Sequence, residues 1–349
     1  MNIVVLAGGY SPEREVSLTS GSLIANALIK NGHHVLLLDA YCGIRELPKN
    51  PFSLFKTEAN YSHTISEEIP DLKKLKEENG NTEALIGPNV LWLCRMADRV
   101  FLALHGAMGE NGQLQATLDN YGIRYTGSGY VGSALAMDKD LAKRLLRDAG
   151  VKTPDWVFVD PNLPESRETI LSKIGLPCVI KPTSCGSSVG VTIVESENEL
   201  DAALAAAAPW GDRVLAEKKI SGRELTVGIL DGKTLPIVEI IPNEGFYDYK
   251  NKYQGNTREV CPAEISKKAT KKAAEATLRG FEALRLRGYA RFDYILDETD
   301  KVWCLEANTL PGMTPLSLLP MAAKAAGISY EELCEKIIDI VNNCKEVSQ

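Results

Sequence analysis

Two stretches of this chain set chemistry-bearing side chains at short, regular spacing. The first is Lys181-Pro182-Thr183-Ser184-Cys185-Gly186-Ser187-Ser188-Val189-Gly190. An apolar segment, 178–181, delivers a lysine, small residues follow, and a second apolar segment begins. Glycines let backbone N–H groups approach phosphate oxygens, and serines add hydroxyl donors. The lysine adds a point charge for phosphate. This is not the Walker pattern, because no G-K-[ST] opens a helix, and the same residues also suit an ordinary hairpin loop. The second stretch pairs Arg291-Phe292-Asp293 with Glu306-Ala307-Asn308. Strand parity puts Arg291 and Asp293 on one face. A two-residue turn at Glu298-Thr299 would set Arg291 opposite Glu306, with Asp293 as its diagonal neighbour at roughly 5–8 Å. Two carboxylates and an amide oxygen are hard donors suited to Mg²⁺. The arginine suits a phosphoryl oxygen or a developing oxyanion. A solvated salt bridge on an exposed hairpin is the plainer alternative. The surrounding Tyr289, Phe292, Tyr294 and Ile295 argue for a covered site.

Two further segments carry weaker signals. Glu217-Lys218-Lys219-Ile220-Ser221-Gly222-Arg223-Glu224 leaves one strand and enters a new unit. Such a hinge can offer backbone groups to an adenine and a carboxylate to ribose hydroxyls, although charged linkers are often merely solvated. Ser11-Pro12-Glu13-Arg14-Glu15-Val16-Ser17 sits at a helix start, where acids favour the helix dipole. The sharper reading is a carboxylate held for a substrate ammonium.

The elements that would position these residues are legible in part. Residues 3–6 form a buried strand, Gly8-Gly9 a turn, 15–30 a helix and 35–38 a second strand, a βαβ opening that implies a parallel sheet. It lacks G-x-G-x-x-G, so no dinucleotide fingerprint is present. Residues 42–90 read as a polar, partly helical excursion. Strand 100–104 ends in the glycine-rich loop 105–112, where ligands of open parallel sheets bind. A helix over 113–121, a stronger one over 138–149, and a strand–helix–strand unit from Trp156 to Glu217 follow. Strands near 225–230 and 235–241, a polar loop 243–258, a Ser266-capped helix to about 286 and strands 288–296 and 301–306 lead to a last helix. That helix opens with the capping-box pair Ser329 and Glu332.

The length, 349 residues, suggests two or three domains, and the composition is that of a globular chain. The formal net charge of −7 gives no bulk attraction for nucleic acid or an anionic membrane. No apolar run is long enough to span a bilayer, and the N-terminus reads as a first strand rather than a secretory signal. The eight cysteines include no C-x-x-C pair and are expected as free thiols in a cytoplasmic protein.

Taken in order along the chain, the motifs resemble the D-alanine–D-alanine ligase family within the ATP-grasp fold. They are Gly8-Gly9 with Ser11 to Ser17; His105-Gly106 with Gly109 and Gly112; Tyr125-Thr126-Gly127-Ser128; Met137-Asp138-Lys139; Lys181-Pro182 with the 186–190 loop; Phe246-Tyr247-Asp248-Tyr249 with Lys252-Tyr253; Arg291 with Asp293; and Glu306-Ala307-Asn308-Thr309 with Pro311-Gly312-Met313-Thr314. Only residues 42–90 lie outside the match. The resemblance implies an α/β fold of three domains: a parallel-sheet domain (1–128), a small central domain (129–216) and a C-terminal domain (217–349). ATP would bind between the last two.

The implied reaction phosphorylates one D-alanine carboxylate, and the amine of a second D-alanine displaces the phosphate. By the same resemblance Lys139, Lys181 and Ser188 bind ATP phosphates, Glu217, Lys218 and Ile220 line the adenine slot, and Glu224 binds ribose. Asp293, Glu306 and Asn308 ligate two Mg²⁺, with Mn²⁺ as a substitute. Glu13 binds the first ammonium beside His105. Arg291 and the Gly312 N–H serve the oxyanion, and Ser317 binds the second carboxylate. Glu13, Ser187 and Tyr253 tie down a closing loop, 244–258, with Gly245 and Gly255 as hinges. Lys252-Tyr253 and the apolar Leu318 favour D-alanine as second substrate, with D-serine and, after it, D-lactate as alternatives. The family also implies a homodimer. Ser184-Cys185, Ala107-Met108 and Asn111 depart from the family pattern without removing a named ligand. Three rival readings share some of these residues: another ATP-grasp carboxylate–amine ligase, a nucleotide-binding regulator and a dinucleotide oxidoreductase. The first lacks a reason to keep Glu13, Tyr253 and Met313-Thr314, and the last lacks its glycines.

Overall fold

The computed structural model of the chain describes residues 1–64, 70–183, 190–242 and 257–343. The expectations for Ser187, Ser188, Lys252, Tyr253 and the loop around them therefore lie outside the described residues.

The N-terminal third runs β1 (Asn2–Ala7), α1 (Arg14–Lys30), β2 (His34–Asp39), α2 (Leu72–Glu78), α3 (Val90–Met96), β3 (Arg99–Leu102), α4 (Ala107–Glu110) and α5 (Gln113–Asn120). The three strands form a parallel sheet in the order β2-β1-β3. Their near-continuous apolarity is what a sheet covered on both faces requires, and Ile3 to Ala7 are fully buried. The loop expected over 105–112 contains one helical turn, α4. Gly109 and Glu110 both donate their N–H groups to Gly106 O at 3.0 Å.

Next come α6 (Tyr130–Met137), α7 (Lys139–Asp148), β4 (Trp156–Val159), α8 (Glu165–Lys173), β5 (Cys178–Pro182), β6 (Thr192–Val194), α9 (Glu197–Ala207) and β7 (Val214–Lys218). Helix α6 was not expected from the sequence. Asp138 caps α7 by accepting from the Asp140 and Leu141 N–H groups at 3.0 Å. The four strands form an antiparallel sheet, β4-β7-β5-β6.

The remainder comprises β8 (Arg223–Leu230), β9 (Lys233–Thr234), β10 (Val238–Pro242), β11 (Thr257–Val260), α10 (Lys267–Ala283), β12 (Tyr289–Leu296), β13 (Val302–Asn308), α11 (Leu318–Ala325) and α12 (Tyr330–Asn343). The sheet order is β11-β10-β8-β12-β13, with β9 on β8. The single strand expected over 235–241 is interrupted, because Pro236 has no N–H to give a ladder. Thr257 and Arg258, expected in a loop, pair with Pro242 and Ile241. Ser266 caps α10 through the Ala269 N–H at 3.0 Å. The Ser329–Glu332 box forms reciprocally, at 2.8 and 3.2 Å.

Helices α11 and α12 bury Leu318, Leu319, Leu333 and Ile337 in the same core as β1 and β3. The C-terminal helices are thereby fastened to the N-terminal sheet.

Candidate active site

The hairpin β12–β13 carries the acids. Arg291 and Asp293 share a face, as parity requires, but the cross-strand pairing differs from the expected one. Asp293 stands opposite Glu306, and Arg291 opposite Asn308. Two causes combine. The turn holds five residues, 297–301, rather than two. Between Asp293 and Tyr294 the register then shifts, leaving Leu305 as an extra residue in β13. Asp293 is almost fully buried. Its Oδ1 accepts from Thr226 Oγ1 at 2.8 Å and Arg291 Nε at 2.9 Å. Its Oδ2 accepts from a terminal Arg291 nitrogen at 2.8 Å and Asn308 Nδ2 at 2.9 Å. Asn308 thus keeps its amide oxygen for another partner. Asp293, Glu306 and that oxygen form a hard donor set that fits Mg²⁺.

Above the hairpin lie the lysines of the central unit. Lys139 Nζ is 3.9 Å from Glu306 Oε2. Lys181, on β5, forms an ion pair with Glu217 Oε1, and Lys143 Nζ reaches Glu217 Oε2 at 2.9 Å and Thr153 Oγ1 at 2.6 Å. All three charges are buried, with 8%, 3% and 1% exposure for Lys181, Glu217 and Lys143. Burial alone would neutralise them. For Lys181 it is outweighed by Glu217 and Glu306, which hold the ammonium pKa above its usual range. For Glu217 it is outweighed by the two lysines, which hold the carboxyl below its own. For Lys143, burial prevails over Glu217, with the Lys181 charge adding to it, and the pKa falls. Both Glu217 oxygens are committed to lysines, so its side chain turns toward Lys143 and Lys181 rather than toward the 218–220 segment. Lys218 is exposed, while Ile220 and Glu224 are half-buried at the entry to β8.

The third component comes from the N-terminal sheet. Glu13 immediately precedes α1 in sequence, and its carboxylate lies against Gly106. A Cβ on Gly106 would come within 2.8 Å of Glu13 Oε2 and 2.9 Å of Ser11 Oγ, and the φ of +77° also calls for glycine. His105 Nδ1 is 3.1 Å from Leu310 O. A carbonyl only accepts, so the proton sits on Nδ1. Burial lowers the His105 pKa against the opposing pull of Glu13. The neutral ring leaves Nε2 as a buried acceptor with no hydrogen-bond partner among the described residues. A substrate ammonium is the kind of donor that position suits.

Gly312 and Ser317 close the site from the loop after β13. A Cβ on Gly312 would meet Ser317 Oγ at 3.0 Å. That hydroxyl accepts from the Thr314 N–H at 3.1 Å and pairs with Thr314 Oγ1 at 2.9 Å. Leu318 is 5% exposed and packs into the core behind the loop. Four participants were not singled out from the sequence: Glu110, Lys143, Thr153 and Thr226. Lys143 carried a signal, since it interrupts the apolar stripe Ala142–Leu146 of α7. Glu110 was hidden in what read as a glycine loop.

The chain is similar to known proteins along nearly its whole length. Residues 2–128 match the family model of the D-ala D-ala ligase N-terminus, and residues 145–339 that of the D-ala D-ala ligase C-terminus. The D-alanine–D-alanine ligase of Pediococcus pentosaceus is 40% identical over 349 residues, covering 97% of both chains. That of Synechococcus sp. is 38% identical over 342 residues, covering 97% of this chain and 93% of the relative. The crystal structure of the Bacillus anthracis D-alanine–D-alanine ligase complexed with ATP superposes with a TM-score of 0.72 at 32% identity, covering 98% of each chain. The VanG D-Ala:D-Ser ligase of Enterococcus faecalis does so with a TM-score of 0.75 at 29% identity, covering 97% of this chain and 99% of the other. The chain belongs to the D-alanine–D-alanine ligase family.

Proposed function

We propose that the chain is an ATP-dependent D-alanine–D-alanine ligase that works through a D-alanyl phosphate. One observation carries the reading. Lys139, at the start of α7, meets the carboxylate of Glu306 on β13, Lys181 stands on β5 of the neighbouring sheet, and the Glu13–His105 corner adjoins the loop after β13 through Leu310. A nucleotide between the sheets would thus point its γ-phosphate at an amino acid held by the N-terminal loops. The domain division is proposed at 128/129, after the parallel sheet, while the expected boundary at 216/217 falls inside β7 (Val214–Lys218) and is better placed after that strand.

Lys139 and Lys181 would hold the α- and β-phosphates, and the 217–220 hinge would receive the adenine, with Glu224 on the ribose. Mg²⁺ or Mn²⁺ held by Asp293, Glu306 and Asn308 would neutralise charge on the transferring phosphoryl group. Glu13 would take the ammonium of the first D-alanine, and His105 Nε2 would accept from it. The carboxylate of that D-alanine then attacks the γ-phosphorus, and ADP leaves. Ser317 would bind the carboxylate of the second D-alanine, aiming its amine at the acyl carbon. The amine attacks, gives up a proton, and phosphate departs with its electron pair. Arg291 and the Gly312 N–H would face the oxyanion formed in between. Ser188 would join the lysines on the ATP phosphates and Lys252 would serve the second substrate, while Glu13, Ser187 and Tyr253 would tie a loop over the site against water, which hydrolyses acyl phosphates.

The test is phosphate release from Mg-ATP with D-alanine alone, with added D-serine and with added D-lactate, products being weighed by mass spectrometry. Release that requires D-alanine and yields D-alanyl-D-alanine supports the assignment. A mixed product in preference would move the chain to the D-serine or D-lactate branch, and the likeness to the D-Ala:D-Ser ligase makes that arm worth running. We also propose a cytoplasmic homodimer, the compartment because ATP is consumed. Light scattering at assay concentration checks the dimer.

A further inference from the structure

We propose that Glu110 is a positioning residue of the ligase site, gripping the loop that carries Gly312 from the opposite end of the chain. The proposal rests on the ligase reading for its consequence but on geometry for its existence. Glu110 Oε2 accepts from the Gly106 N–H at 3.0 Å, and Oε1 accepts from the Leu310 N–H at 3.2 Å. The carbonyl of that same Leu310 accepts from His105 Nδ1 at 3.1 Å. Both backbone groups of one peptide residue are thus held by the short turn 105–110, across 200 positions of sequence.

Leu310 lies two residues before Gly312, whose N–H is the proposed oxyanion donor, and seven before Ser317. It is 3% exposed. Further along, the loop is secured by the Tyr330 hydroxyl, which donates to Met313 O at 2.7 Å. The turn itself has no slack: a Cβ on Gly109 would strike the Leu104 side chain at 2.5 Å.

A carboxylate suits this task for a plain reason. It has two acceptor oxygens, so it satisfies two N–H groups that face it from different segments, while an amide has one acceptor and would turn its NH₂ toward the other donor. It is held there at a cost. Burial and the neighbouring Glu13 charge push the carboxyl up to about 7. A costly carboxylate retained beside a reacting centre is more readily explained by function than by packing.

The experiment compares Glu110→Gln with the wild-type protein by two readouts. In hydrogen exchange without substrate, the 310–314 segment should exchange at least tenfold faster in the variant, while β5 and β7 are unchanged. In steady-state ligation, displacement of an oxyanion donor by an ångström or less predicts a kcat loss of about 100-fold. KM for the second D-alanine should rise, and KM for ATP should stay within twofold. Adding His105→Ala should then cost less than the product of the single losses, because both side chains hold Leu310. Unchanged exchange at 310–314 overturns the clamp whether or not the protein is a ligase. A parallel loss in ATP affinity and in thermal midpoint, with no split between the two KM values, overturns the positioning role. A wild-type protein that makes no dipeptide would instead defeat the ligase reading, and the exchange result would still decide the clamp.

Discussion

Replacing Glu217 by glutamine should be more damaging than removing either lysine beside it. In the native arrangement one carboxylate, 3% exposed, neutralises two ammonium groups that are themselves almost wholly buried. Glutamine keeps the size and removes the charge. Lys143 and Lys181 would then repel one another in a site that water barely enters, with only the more distant Glu306 to compensate. Breaking a buried charge pair in this way costs about 3–5 kcal/mol. Lys143→Met is the contrasting case. The Lys181–Glu217 pair survives, and the losses are the 2.9 Å pair with Glu217 Oε2, the 2.6 Å bond to Thr153 and the contact of Nζ with the Trp156 ring at 5.1 Å. Burial of the Lys143 charge, which lowers its pKa, already offsets most of the first of these, so the net loss is about 1–2 kcal/mol. A chain of this size need not unfold in one step, so native-state hydrogen exchange of the β5 and β7 amides is the right assay. ATP should protect the glutamine variant more than the wild type, since phosphate would neutralise the lysines that the substitution leaves unpaired. The reasoning fails if Glu217→Gln costs under about 1 kcal/mol, or if Lys143→Met costs as much.

Three further outcomes follow from the geometry. Glu306→Gln should remove most turnover by weakening the hard donor set, with a higher Mg²⁺ requirement in titrations; near-normal turnover at low Mg²⁺ would refute the metal assignment. Gly106→Ala should cost about 1–2 kcal/mol for its φ of +77° and should raise KM for D-alanine by pushing on Glu13. A normal KM would place the first ammonium elsewhere. The raised Glu110 carboxyl has a sign that can be checked. Because its folded value, about 7, exceeds the usual 4.5, its contribution to stability is full below 4.5 and is lost as pH rises through 7. Unliganded wild-type protein should therefore lose roughly 1–3 kcal/mol relative to Glu110→Gln between pH 5 and 8.5. Parallel pH profiles would contradict the shift.

Much of this arrangement is legible in the sequence. The β1–α1–β2 opening follows from apolar runs and a helical period, and the Ser329–Glu332 box from spacing alone. Arg291 and Asp293 fall on one face because strand parity is strict. Pairing across the hairpin was not readable, since neither a five-residue turn nor a bulge announces itself locally. Its trace is in the burial of β13. Val302 and Cys304 point inward, then Ala307 rather than Glu306 continues the series, a break that composition cannot reveal without the partner strand. Glu110 and Lys143 were missed for another reason. Glu110 looks like an ordinary charged loop residue until tertiary structure encloses it, and Lys143, although it interrupts the apolar stripe of α7, takes its meaning only from Glu217, 74 positions further along the chain.

The two register changes in the β12–β13 hairpin have a consequence for how the gene can vary. The longer turn displaces the pairing by one residue and the extra Leu305 by one more, so the acids return to the face that a simple hairpin would have given them. Either change alone would turn Glu306 and Asn308 toward the core and Ala307 toward ATP. A single-codon deletion in 297–301 should therefore be lethal to activity while leaving the reading frame intact, and removal of Leu305 in the same gene should restore it. Length variation in this hairpin is heritable only in compensating pairs.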